Sequence, residues 1–167
     1  QAHNSGQQGD AFDQLQLQIN QIEQTTVATD PPQQQLQPII DTYQKGQLKD
    51  ALPATDKLLQ QYPTSITLLN IKGAIHGQLE QLDEAINCFQ KVLEINPENV
   101  ELLEQIAKLQ IINGDLNQAI STCEAVIKIE PNNHKIFQLL GNCLQKMSDY
   151  NGSVVAYKNA IKIKDND

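Results

Sequence analysis

The stretch LDEAINCFQKVLEINPENV, residues 82–100, is rewritten thirty-four residues later as LNQAISTCEAVIKIEPNNH, with its leucine, alanine, isoleucines, valine, proline and an asparagine in step. A fixed period of this length marks a stacked repeat, whose unit cannot bury its apolar face alone and is covered by the next one. Working outward keeps the interval. Pro63, Pro97 and Pro131 mark it, as do Ala51, Ala85, Ala119 and Ser153, and the apolar pairs Leu58/Leu59, Val92/Leu93, Val126/Ile127 and Ala160/Ile161.

Each period also holds an earlier run, such as Leu103, Ile106, Ala107 and Gln110, or Phe137, Leu140, Gly141 and Leu144. That spacing is one face of a helix. Between the two runs lie KGQ at 45–47, NGD at 113–115 and SDYNG at 148–152, and a proline closes the second helix. Each unit is therefore helix, turn, helix. Gly73, Ala107 and Gly141 let the first helix approach the second, Ala51, Ala85 and Ala119 answer from the other side, and Phe89 and Tyr157 fill the remaining gap.

The pattern predicts an all-α chain: a right-handed α-solenoid over 32–167, with repeats at about 32–65, 66–99, 100–133 and 134–167. The first unit departs from it. Its face is Leu36, Ile39, Ile40 and Tyr43, one residue closer to Gly46 than the third unit's face is to Gly114, which predicts a shortened inter-helix turn. Pro38 lies inside that face, so the helix is expected to start near Pro32 and carry a local irregularity.

Residues 1–31 form a polar N-terminal segment. QAHNSGQQGD at 1–10 reads as disordered, and AFDQLQLQINQIEQ at 11–24 as a short amphipathic helix on Phe12, Leu15, Ile19 and Ile22. Two heptads are marginal alone, so this helix either caps the first repeat or serves as an oligomerisation zipper. TTVATDPP at 25–32 is the linker. At the other end, Val154, Ala160 and Ile161 are expected to be partly exposed, to be covered by further chain or another subunit. A monomer or weak, concentration-dependent self-association follows.

Composition removes several functions. Net charge is −8 and the chain has no arginine, the side chain best suited to bidentate grip on phosphates and guanine edges, so nucleic acid is not an expected partner. No apolar run approaches the roughly eighteen residues of a membrane span. Cys88, Cys123 and Cys143 fall on apolar faces, as buried thiols of a reducing compartment do, which points to the cytoplasm. Gln1 in place of Met leaves a cleaved signal peptide, and a periplasmic location, open. His3, His76 and His134 are scattered outside any ligand spacing, and His76 sits on a packing face. With no nucleophile motif or phosphate loop either, the expectation is a non-enzyme without catalytic residues, cofactor or metal.

The motif G–x11–A–x3–F–x7–P in 73–97, carried on a thirty-four-residue helical period, resembles the tetratricopeptide repeat. The likeness is strongest over 66–99 and 100–133. It departs at His76 and Gln110, where the family usually has an aromatic, at Lys72, usually leucine, and at Cys123, usually Phe or Tyr. The resemblance implies a protein-interaction scaffold whose first helices line a concave groove for an extended or helical peptide. The groove positions it implies are Gln37, Asp41 and Gln44, then Asn70, Ala74 and Gly77, then Glu101, Glu104, Lys108 and Ile111, and finally Lys135, Gln138, Asn142 and Gln145.

Asn70, Lys108 and Lys135 supply part of the carboxylate clamp of chaperone-binding members, but Gln37 and Asp41 stand where its cation and amide belong. The mixed lining suits a polar peptide with an apolar anchor. Residues 33–74 are also similar to the openings of bacterial tetratricopeptide proteins that continue into sulfotransferase, glycosyltransferase or oxygenase domains. A recruiting region of a larger enzyme is therefore one alternative, and a self-assembling structural module is another.

Overall fold

The computed structural model describes residues 30–165, which form eight helices. These are α1 Gln33–Gln44, α2 Leu48–Leu59, α3 Ile66–Gln78, α4 Leu82–Ile95, α5 Val100–Asn113, α6 Leu116–Ile129, α7 His134–Lys146 and α8 Tyr150–Lys164. Each packs on its neighbour in sequence, and α5 also touches α7, so the chain is a stack of four helix pairs. The expected helix at 11–24, its linker up to residue 29 and the polar start at 1–10 lie outside the described residues.

The period is written into the backbone as well as the sequence. Gly46, Glu80, Gly114 and Ser148, each thirty-four residues from the next, have φ of 72°, 59°, 90° and 64°. The following amides of Gln47, Gln81, Asp115 and Asp149 donate back to the carbonyls of Thr42, His76, Gln110 and Leu144 at 3.1, 3.0, 2.8 and 2.9 Å. A left-handed residue closed by such a bond satisfies carbonyls that the helix end leaves open. All four first helices therefore stop in the same way. The opposite ends repeat too: Ser65, Asn99 and Asn133 cap α3, α5 and α7 by accepting the amides of Leu68, Leu102 and Ile136 at 3.1, 3.0 and 3.2 Å.

The shortened first turn is not found. Residues 45–47 match 79–81 and 147–149 in length, and the turn at 114–115 is the shorter one because α5 runs a residue further. Unit one keeps the register and changes its packing. Ile39 fills the slot that Gly73, Ala107 and Gly141 occupy in later units, and the facing slot of Phe89, Cys123 and Tyr157 holds Thr55, smaller than the two aromatics. Ile39 and Thr55 are both buried, so the volume has moved from the second helix to the first. As expected, α1 begins after Pro32 and contains Pro38. A second interior proline, Pro53 in α2, was not anticipated; it is exposed, as is Lys49, the residue whose carbonyl loses its helical donor.

The core is a chain of clusters, each borrowing a helix from the next unit. Leu36 and Ile39 pack with Leu68; Leu69, Ala85, Ile86, Phe89 and Val92 pack with Leu102 and Ile106; Leu103, Ala107, Cys123 and Val126 pack with Ile136. A fully buried Leu or Ile such as Leu68 or Ile136 contributes about 1.5–3 kcal/mol, and much of that is gained only across a repeat boundary. Ala51, Ala85 and Ala119 have no exposed surface, and Ser153 in the same slot donates its hydroxyl to the carbonyl of Gly141 at 3.0 Å.

The three cysteines are free and buried. Burial pushes the Cys123 thiol up to about 12, with Cys143 and Glu124 adding to the effect, which makes it a packing group and a poor nucleophile. At the far end Val154 and Ile161 are exposed as expected, whereas Ala160 is buried.

Candidate peptide-binding groove

Three helices build an open concave site. From α3 come Gly73, Ala74 and Gly77, from α5 Gln105, Lys108 and Leu109, and from α4 Phe89 closes the floor of a cavity of about 250 Å³. A second cavity of about 350 Å³ continues it through Asn70, Asn99, Glu101 and Leu102 and shares Ala74, Phe89 and Gln105. The two are one groove. It exists because α3 is almost bare here: the Phe89 ring lies where a side chain on Gly73 would have to go, and a Cβ on Gly77 would meet nothing within 4 Å.

The electrostatics are simple. Glu101 and Lys108 are exposed at either end of the α5 wall, two turns or about 10 Å apart on one helix face. Neither forms a salt bridge among the described residues, where Lys72–Asp56 on another face, at 2.6 Å, is the one found. Asn99 is committed to capping α5, with its Oδ1 accepting the Leu102 amide. An apolar floor thus separates a free carboxylate from a free ammonium.

Of the fourteen positions expected from the sequence, Asn70, Ala74, Gly77, Glu101 and Lys108 come together here. Lys135 sits in an adjoining cavity of about 310 Å³ with Glu101, Glu104, Glu130 and Asn133. Gln37, Asp41 and Gln44 lie on exposed α1, where the Gln37 amide donates to Asp41 at 2.8 Å. Gln138, Asn142 and Gln145 are exposed on α7, and the Tyr157 hydroxyl donates to Asn142 at 2.5 Å and lies 3.2 Å from the Gln145 oxygen. These six do not line the α3–α5 groove.

Two expected positions are corrected. Glu104 is buried and accepts from Asn133 at 2.8 Å, stitching α5 to the cap of α7. Ile111 is buried in a cluster with Ala119 and Cys143. Both follow from one cause: α5 lies between α4, α6 and α7, and so buries a wider arc than an amphipathic stripe. Conversely, Phe89, Gln105 and Leu109 line the groove without having been assigned to it. Gln105, four residues after Glu101 and three before Lys108, was within reach of helical spacing.

The slots where the resembled family has aromatics are satisfied by hydrogen bonds. Buried His76 places Nδ1 2.7 Å from Gln81 Oε1, and the Thr122 hydroxyl donates to buried Gln110 at 2.9 Å. His76 is thus a core imidazole, as its place on a packing face suggested. Among the described residues no group of His, Cys, Asp and Glu could hold a metal ion, and no helix is long and apolar enough to cross a membrane.

The family described as "Psidin, N-terminal TPR repeats region" matches residues 33–165. A crystal structure of MamA superposes with a TM-score of 0.70 at 19% identity, covering 79% of this chain and 77% of that one. A MamA fragment from Desulfovibrio magneticus RS-1 gives 0.71 at 18% identity, covering 81% and 77%. A further MamA structure, from AMB-1, gives 0.71 at 18%, covering 80% and 73%. At this identity the likeness is one of fold, the right-handed α-solenoid of tetratricopeptide repeats. No curated protein matches the chain.

Proposed function

The chain belongs to the tetratricopeptide-repeat family of Psidin N-terminal regions, and we propose that it acts as a non-catalytic protein-interaction scaffold, taking a partner peptide in the groove between α3 and α5. The observation that carries this reading is the groove itself: a strip of Gly73, Ala74 and Gly77 opposite Leu109, floored by Phe89, with Glu101 and Lys108 at its two ends. Apolar floor supplies affinity, and separated charges of opposite sign fix the direction in which a segment lies. The fitting partner is a helical or extended segment with one apolar anchor, a basic group on the Glu101 side and an acidic group on the Lys108 side. The three buried free thiols suit a reducing compartment.

The test is capture of a partner by the full chain, followed by Lys108→Glu and Glu101→Lys. Each reversal should weaken the captured partner by about 1–3 kcal/mol, and the double reversal should reverse its charge preference. Capture indifferent to all three variants would place the partner elsewhere on the solenoid.

A further inference from the structure

We propose that the exposed apolar face of α8 is a docking surface for residues 11–24 of a second copy of the chain, which joins copies head to tail. On α8, Tyr150, Val154 and Ile161 are 65%, 50% and 60% exposed. One period earlier the same slots hold Leu116, Ile120 and Ile127, and two periods earlier Leu82, Ile86 and Leu93. None of these six is exposed. Leu116 and Ile120 pack with Ile111, Leu139 and Cys143, while Ile86 and Leu93 pack with Leu102, Ile106 and Leu109.

The molecule therefore shows what covers this surface, because it covers it twice. The cover is an amphipathic helix with apolar residues at i, i+4 and i+7: Leu102, Ile106 and Leu109 on α5, and Ile136, Leu140 and Cys143 on α7. The same spacing occurs in the N-terminal sequence at Leu15, Ile19 and Ile22, with Phe12 one further turn back.

Charge selects the same pair. Residues 10–24 carry Asp10, Asp13 and Glu23 and no cation. Helix α8 carries Lys158, Lys162 and Lys164 and no carboxylate. These lysines are exposed and form no salt bridge among the described residues. Opposite charges around an apolar seam favour this partner over a second α8, which would set lysine against lysine.

Reach decides between the chain's own segment and a copy's. The Asp30 carboxylate accepts the Ser65 and Thr67 hydroxyls and the Thr67 amide, which holds the chain at the start of α3. Residues 25–29 then span at most about 18 Å. The far side of α8 lies beyond two further first helices, α5 and α7, each step no shorter than the spacing of packed helices, about 8–10 Å, and then across a helix of about 10 Å. The segment of another copy has no such restriction. Head-to-tail contact is heterologous and does not close on two chains, so it yields short open oligomers that grow with concentration.

Sedimentation of the full chain tests this with two variants, Leu15→Glu/Ile19→Glu and Val154→Glu/Ile161→Glu, each checked for unchanged helicity by circular dichroism. The wild type should exceed its monomer mass of 18.6 kDa as concentration rises, and each variant alone should remain monomeric. Mixed, they should restore a dimer and no larger species, since one variant retains the intact face and the other the intact segment. Lys158→Glu/Lys162→Glu should weaken the wild-type association about tenfold. A wild type monomeric throughout would overturn the proposal. So would association that survives Leu15→Glu/Ile19→Glu, the mark of an α8–α8 pair, or association that survives Val154→Glu/Ile161→Glu, the mark of a segment seated in the α3–α5 groove.

Discussion

The Phe89 ring lies so close over Gly73 that a Cβ built there would stand 2.5 Å from its Cε1, and Tyr157 stands in the same relation to Gly141 at 2.6 Å. Large on the second helix and nothing on the first is the rule of units two and four. Unit three divides the volume between Ala107 and Cys123, and unit one reverses it with Ile39 and Thr55. The pair, and not either residue, is what each unit holds constant.

Gly73→Ala should therefore destabilise the chain by about 1–3 kcal/mol through overpacking, even though alanine is the better helix former by about 1 kcal/mol. Combining it with Phe89→Leu should recover part of the loss, so that the double variant is more stable than the two single losses predict. Urea denaturation measures all three. Simple additivity would show that the two positions do not share their space.

Glu80→Gly should raise stability by about 0.5–1 kcal/mol, and Ser148→Gly should do the same. Both residues sit at positive φ, 59° and 64°, where a Cβ is strained and glycine is not. Gly46→Ala and Gly114→Ala, at 72° and 90°, should lower it by about 1 kcal/mol. The sign difference across four register-equivalent turns, read from chemical denaturation midpoints, is the check.

These turns also show what could be read from the chain beforehand. The helix pairs, the period and the turn glycines at 46 and 114 were all legible, because composition marks them. Glu80 and Ser148 were not, since neither residue type announces a left-handed backbone; only the period carried into the geometry does. The apparent shift in unit one misled for a related reason. Apolar spacing reports which side chains are buried, and Ile39 moved bulk between helices without moving the backbone. Of the positions that the resemblance implies, Asn70, Ala74, Gly77, Glu101 and Lys108 line the α3–α5 cavities, while Glu104 and Ile111 are buried because α5 is covered on more sides than its stripe suggests.

Asp30 makes stability depend on acid pH. Burial raises its carboxyl, but hydrogen bonds from the Ser65 and Thr67 hydroxyls and the Thr67 amide outweigh that and hold it below the usual carboxylate value. A depressed folded-state value adds stability above the unfolded value of about 3.9, and the gain disappears as pH falls through the folded value. Asp30→Asn should therefore melt below the wild type at neutral pH, and the gap should narrow below pH of about 4. Thermal melts across that range measure it. A gap constant with pH would mean that shape, not charge, holds the chain to α3.

Gly77→Leu separates binding from folding. A Cβ at this position meets nothing within 4 Å, and its backbone is helical at the end of α3, so the substitution costs no packing. Replacing a helical glycine should leave stability unchanged or raise it by up to about 1 kcal/mol. The added side chain enters the cavity of about 250 Å³ over Phe89, beside Leu109 and Lys108, where the partner's apolar anchor is proposed to sit. Affinity for the captured partner should fall about tenfold or more, the cost of displacing one well-buried anchor. Calorimetry on the wild type and Gly77→Leu, paired with their melting temperatures, gives both numbers from one pair of proteins. A stable variant that binds as tightly as the wild type would move the partner out of this groove, because nothing else about the fold would have changed.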